Sequence, residues 1–109
     1  MGAFFTAQAL RLDAALASAP DEDEIRDAAE KVKAFADPTR LRLAVIVRAA
    51  DEICVTDLGT ISGVEQTVIS HHLTTLRRLR LAQPRREGKL ALYSLTDEGR
   101  RLLDAVFPS

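Results

Sequence analysis

The stretch Thr56-Asp57-Leu58-Gly59-Thr60-Ile61-Ser62-Gly63-Val64-Glu65-Gln66-Thr67-Val68-Ile69-Ser70-His71-His72-Leu73-Thr74-Thr75-Leu76-Arg77-Arg78-Leu79 decides how the rest of the chain is read. Thr56-Asp57 has the side chains of a helix N-cap region, a short helix runs through Leu58 and Ile61, and Gly63 ends it. A second helix follows at once, from Glu65 to about Leu79, because Ile69, Leu73, Leu76 and Leu79 keep helical spacing. Gln66, Thr67, Ser70, His71, Thr74 and Arg77 occupy the rest of its surface.

Downstream the period changes. Gln83–Arg86 and Leu90–Leu95 flank Glu87-Gly88-Lys89 and read as a short hairpin with glycine at its tip, Pro84 restricting the first strand to an edge. Thr96 then caps a last helix through Leu102, Leu103, Val106 and Phe107, with Asp97-Glu98 in its first turn. Upstream, Phe5, Ala9, Leu12 and Leu16 paint one stripe on a helix over about residues 3–18. Pro20 and the acids Asp21–Glu24 start a second helix through Ile25, Ala28, Ala29, Val32 and Phe35, which Asp37-Pro38 stops. Pro38 also opens a third, from Thr39 to about Ala50, whose apolar face is read as Leu41, Val45 and Ile46. The expected fold is mainly α with a small β-hairpin wing, in the order α-α-α-α-α-β-β-α.

The 109 residues make one domain, expected over residues 1–109, and 47% hydrophobic with 28% charged residues is a globular composition. The longest apolar run, Leu43–Val47, lies between Arg42 and Arg48, too short for a bilayer span. No basic leader precedes an apolar block, so a cytoplasmic location without membrane association is expected. The single Cys54 makes no internal disulfide. The net charge of −1 hides an asymmetry: residues 1–37 carry eight acids against four bases, whereas residues 64–95 carry six bases against two acids. A polyanion is expected to meet the second half and not the first.

Two helices joined at a glycine, the second polar on one face, followed directly by a basic hairpin, form the layout of a winged helix-turn-helix. Gln66, Thr67, Ser70 and His71 then fall near the start of a recognition helix, where side chains reach base edges in a major groove. Thr74, Arg77, Arg85, Arg86 and Lys89 are candidates for the DNA backbone. His71 and His72 point about 100° apart and cannot chelate one ion together; His71 is expected to face DNA and His72 to pack or hydrogen-bond beneath the helix. Ser70 beside His71 makes no catalytic pair, and no enzyme activity is expected.

Ala36-Asp37-Pro38-Thr39-Arg40-Leu41-Arg42, Cys54-Val55-Thr56-Asp57-Leu58, Ser70-His71-His72-Leu73-Thr74-Thr75-Leu76, and Arg85-Arg86-Glu87-Gly88-Lys89 with Tyr93-Ser94-Leu95 resemble, in this order and spacing, the ArsR/SmtB family of bacterial winged-helix repressors. The likeness covers about residues 25–107. It implies a homodimer that binds double-stranded operator DNA with inverted-repeat symmetry and is released by a metal ion or another chemical signal. It also implies that the first and last helices pair across the two-fold axis, placing Phe5, Ala9, Leu12, Leu16, Leu102, Leu103, Val106 and Phe107 in the interface.

The same resemblance marks Cys54, Asp57 and Asp97 as candidate sensing residues. Members with a soft-metal site resemble Cys-Val-Cys-Asp-Leu, where this chain has Thr56 in place of the second cysteine; Gly99-Arg100 stand where a histidine is expected after Asp97. Any transition-metal binding is therefore expected to be weak. The signal is expected instead from a regulatory partner protein or from Cys54 chemistry. The alternative class is a winged-helix module turned to protein binding.

Overall fold

The computed structural model describes residues 2–108, with side chains from Thr6 onward. Among these residues the elements are α1 (Gly2–Ser18), α2 (Glu22–Ala34), α3 (Pro38–Ala50), α4 (Val55–Ser62), α5 (Gln66–Arg78), β1 (Ala82–Glu87), β2 (Leu90–Leu95) and α6 (Asp97–Val106). This is the expected order, a mainly helical winged helix-turn-helix. No helix among them is long and apolar enough to cross a membrane.

Three starts are fixed by side chains that accept from orphan backbone N–H groups. Asp21 accepts from Glu24, Asp37 from Arg40, and Thr96 from Gly99. The backbone N–H of Arg40 holds the Asp37 carboxyl below its ordinary range, so the cap stays ionised. Cys54, not Thr56 or Asp57, is the N-cap of α4, and Gly63 closes that helix in the left-handed region at φ 73°.

The core is built where α3, α4 and α5 converge under the hairpin. Leu43 and Val47 of α3, Leu58 of α4, and Ile69, Leu73 and Leu76 of α5 are essentially inaccessible, as are Leu81 and Leu103. The sequence reading took the wrong centre for the face of α3: Leu43, Ala44 and Val47 are buried, while Leu41, Val45 and Ile46 are half-buried around them. A helix apolar through most of its circumference gives periodicity little to choose between.

β1 and β2 pair antiparallel from Ala82 opposite Leu95 to Glu87 opposite Leu90, with Gly88 at φ 60° in the turn. Tyr93 exchanges both backbone hydrogen bonds with Ile53, at 2.9 and 3.0 Å, rather than with Pro84 opposite it. Pro84 thus occupies a non-hydrogen-bonded position on the outer strand, where its missing N–H leaves no gap in the ladder.

α1 carries exposed Leu10, Leu12 and Leu16 and stands away from the body, giving extents of 68 × 23 × 22 Å. The radius of gyration is 19.4 Å, against roughly 13 Å for a compact chain of this size.

The recognition helix passes into the wing through a tight junction. Arg80 takes φ 60°, the Leu81 N–H donates to the Leu76 carbonyl at 2.8 Å, and the Leu81 carbonyl accepts from the Thr96 N–H at 3.0 Å. The Thr96 hydroxyl donates to the Arg80 carbonyl at 2.7 Å. Buried Gly99 lies directly against Leu81: a β-carbon there would come within 3.0 Å of the Leu81 carbonyl carbon and closer still to its oxygen. In an exposed helix, Gly→Ala stabilises by about 1 kcal/mol. Here Gly99→Ala is expected to destabilise by about 1–3 kcal/mol, the usual cost of forcing atoms into a packed site, measured by urea unfolding.

Candidate nucleic-acid interface

The buried stripe Ile69, His72, Leu73 and Leu76 fixes which way α5 faces. At about 100° per residue, Thr67, His71, Thr74 and Arg78 fall opposite that stripe, with Ser70 and Arg77 on one flank. All six are exposed. Arg78 thus shares the outermost row, although the sequence reading named Arg77 and passed over it. The signal was available in the i, i+4, i+7, i+11 spacing from Thr67. Gln66 is exposed but leans back over α4: its Cγ would lie 3.6 Å from a β-carbon at Gly59.

The wing residues expected at phosphates separate into two kinds. Arg86 is exposed and, among the described residues, reaches only the Lys89 carbonyl, at 3.4 Å, and Lys89 is exposed at the hairpin tip. Arg85 is engaged elsewhere. Its guanidinium grips the Glu52 carboxylate through Nε at 2.5 Å and Nη2 at 3.0 Å, and meets Glu87 at 3.1 Å. The hydrogen bonds from Arg85 hold the Glu52 carboxyl below its ordinary value. This fork fastens the wing to the loop between α3 and α4, beside the Ile53–Tyr93 bridge.

The residues expected at the dimer interface also divide. Leu12, Leu16, Val106 and Phe107 are exposed, Ala9 is exposed and Leu102 half-buried. The side chain of Phe5 lies outside the described residues. Leu103 is a correction: it is fully buried in the protomer's own core and has no surface to offer a partner. The sequence reading missed Ile25 and Val32, which α2 leaves exposed instead of burying. Val32 belongs to an apolar groove between α2 and α6 that Ala28, Leu102 and Ala105 also line. Lys31 spans its rim, bonded to Glu98 at 2.7 Å and to Asp27 at 3.2 Å; the Glu98 bond chiefly raises the Lys31 pKa.

The metal-ligand positions that the resemblance implies do not fit a metal. Cys54 is half-buried, and Thr56 two residues on is exposed and offers only a hydroxyl. Asp57 is exposed on α4. Asp97 is exposed on α6, but the partner position is Gly99, pressed against Leu81 with no room for any side chain. Among the described residues no three His, Cys, Asp or Glu side chains converge on one point.

His72 is buried beneath the recognition helix, as expected, and its Nδ1 accepts a hydrogen bond from Arg40 Nε at 3.2 Å. His71 is exposed on the outer row.

Residues 37–83 match the sequence model of a family described as bacterial regulatory protein, arsR family. A cadmium resistance transcriptional regulatory protein CadC homolog of Staphylococcus aureus is 39% identical over 82 residues, covering 74% of this chain and 68% of that protein. A transcriptional repressor SmtB homolog of Synechocystis is 43% identical over 75 residues, covering 69% of this chain and 56% of that protein. Among solved structures, the homodimeric winged helix-turn-helix DNA-binding domain Mb0332 of Mycobacterium bovis superposes with a TM-score of 0.72 at 26% identity, over 83% of this chain and 86% of that one. HlyU of Vibrio cholerae superposes with a TM-score of 0.71 at 26% identity, over 79% of this chain and 94% of that one.

Glu52→Gln removes the charged half of the Arg85 fork. Amide hydrogen exchange of residues 85–92 is expected to accelerate while the core amides of α5 keep their protection. Loss tracks the ionised carboxylate: the clamp is fully present above the ordinary Glu value of about 4.3 and weakens as pH falls through the lowered one.

Proposed function

The chain belongs to the arsR family of bacterial regulatory proteins, and from that premise we propose that it represses transcription as a homodimer whose two recognition helices enter major grooves of an inverted-repeat operator. The observation that carries this reading is the outer row of α5: Thr67, His71, Thr74 and Arg78 stand exposed along one line, with Ser70 and Arg77 beside it and Arg86 and Lys89 projecting from the adjacent wing. Short polar side chains near the start of the helix suit base edges, and cations at its end and on the wing suit phosphates.

On this reading Thr67, Ser70 and His71 read bases, with Gln66 at the rim. Thr74, Arg77, Arg78, Arg86 and Lys89 hold the backbone, and Arg85 orients the wing. Homodimer formation covers the exposed faces of α1, α2 and α6, where Leu12, Leu16, Ile25, Val32, Val106 and Phe107 otherwise meet water. Each such side chain contributes roughly 1.5–3 kcal/mol when fully buried. The releasing signal is read as something other than a metal held by the usual ligand positions, since Thr56 and Gly99 occupy two of them.

Two measurements test this. Sedimentation at micromolar concentration is expected to show a dimer, and a monomer there would remove the interface reading. Gel-shift titration against the DNA upstream of the chain's own gene, compared with random duplex, is expected to show specific binding. Ser70→Ala should narrow the difference between the two DNAs by about 1–3 kcal/mol. Arg78→Ala and Arg86→Ala should weaken both DNAs alike and flatten the salt dependence by about one unit per lost contact in each protomer. Unchanged discrimination in Ser70→Ala would overturn the base-reading assignment, and unchanged salt slopes the backbone assignment.

A further inference from the structure

One guanidinium joins three helices. Arg40, in the first turn of α3, donates from Nε to His72 Nδ1 in the middle of α5 at 3.2 Å, and from Nη1 to the carbonyl of Ala34 at 3.1 Å. Ala34 is the last residue of α2, so its carbonyl is one of the acceptors that a helix end leaves without an intrahelical partner. Asp37 fixes where this reach begins, since its carboxylate holds the Arg40 N–H at 3.0 Å.

We propose that Arg40 is a positioning residue that seats the recognition helix for DNA by holding the neutral form of His72, so that protonation of His72 unseats the helix. The proposal rests on the DNA-binding reading above.

The geometry dictates the tautomer. An arginine keeps its protons at every accessible pH and has no acceptor, so the His72 nitrogen it meets must carry the lone pair. The ring is therefore neutral, with its proton on Nε2. Protonating Nδ1 replaces a hydrogen bond by two cations in contact, at a residue only 8% exposed. The groups facing His72 divide unequally. Arg40 from α3 and the neighbouring His71 of α5, with ring centroids 5.6 Å apart, oppose the charge. Asp37 from α3 favours it, but is committed to capping that helix. The groove alongside adds Glu30 and Lys33 from α2 and Arg78 from α5. Burial first, and Arg40 second, push the His72 pKa below its ordinary value. The seated helix is thus fully favoured above the ordinary histidine value of about 6.5, and is lost as pH falls below it toward the lowered one.

His71 is exposed on the outer row, so its replacement leaves the Arg40–His72 tie in place.

The test is operator affinity of the full chain at constant ionic strength between about pH 7.5 and 5.5, the span in which histidines change charge. Wild type, His71→Gln, His72→Gln, Arg40→Lys and Arg40→Ala are compared, with thermal melting at the higher pH to confirm folding. Wild-type affinity is expected to fall several-fold from the higher to the lower pH. His71→Gln should retain the fall. His72→Gln, whose amide oxygen can accept from Arg40 without titrating, should be flat. Arg40→Lys should lower affinity at the higher pH and recover part of what Arg40→Ala loses. Nitrogen-15 NMR of the DNA-free chain should show the Nε2-protonated ring at His72. An equal fall in His72→Gln, or an Nδ1-protonated ring, overturns the proposal. A wild-type chain that binds no operator at either pH overturns the DNA reading instead, and the NMR tautomer still decides the Arg40–His72 tie.

Discussion

The arrangement of this molecule depends on the contact between Gly99 and Leu81. Leu81 is where the recognition helix has ended and the wing has not begun, and its carbonyl is bonded by Thr96 and covered by Gly99 of α6. Three elements are fixed together at one peptide group. The positive φ of Arg80 gives the chain its sharp exit from α5, a conformation that costs a non-glycine residue about 1–2 kcal/mol. That cost is offset by the bonds it permits, from Leu81 to Leu76 and from Thr96 to Arg80. The angle between recognition helix and wing, which sets whether both can reach one duplex, is therefore held by backbone contacts. The Arg85–Glu52 fork then restrains the wing at its other side, so the hairpin is tied at both ends while its tip stays free.

The distribution of apolar surface has a parallel logic. The core needs only one side of α6, the side of Leu103, while Val106 and Phe107 remain outside with Ile25 and Val32 of α2. A small domain that leaves this many large side chains in water gives up a sizeable part of the stabilisation its composition could provide. The proposed homodimer covers that surface, and its two-fold symmetry places two recognition helices at a spacing that DNA can match, about one helical turn or a multiple of it. The same uncovered surface thus serves stability and register together.

What the sequence made legible was whatever depends on local order. Caps, breaks and periods located every helix and the hairpin to within a residue or two, because Asp37, Gly63, Gly88 and Thr96 act on their own turns. What escaped depends on tertiary neighbours. Leu103 and Val106 lie three apart on the apolar side of an amphipathic helix, and nothing local says that one faces the core and the other water. Ile25 and Val32 look like core positions until the missing partner surface is seen. Arg85 has the same local signature as Arg86, and only the loop at Glu52, 33 residues away in sequence, distinguishes them. Arg40 is one arginine among twelve, and its reach to His72 depends on how α3 crosses α5. Arg78 is a different case: its place on the outer row follows from spacing alone.

Gly99 also bears on how such a protein could answer a signal. A residue pressed against Leu81 cannot simultaneously present a ligand, so the packing that joins wing to helix and a metal ligand at this position exclude each other. An effector changes DNA binding only through a difference in affinity between two states, and those states must differ in something the structure can move. The rigid junction at Leu81 is a poor candidate, because shifting it breaks several backbone bonds at once. The tie at Arg40 is different in kind: two hydrogen bonds at 3.1 and 3.2 Å connect the end of α2 to the middle of α5. α2 carries the uncovered apolar face, so in the proposed homodimer that guanidinium is the link between the face where two protomers meet and the recognition helix.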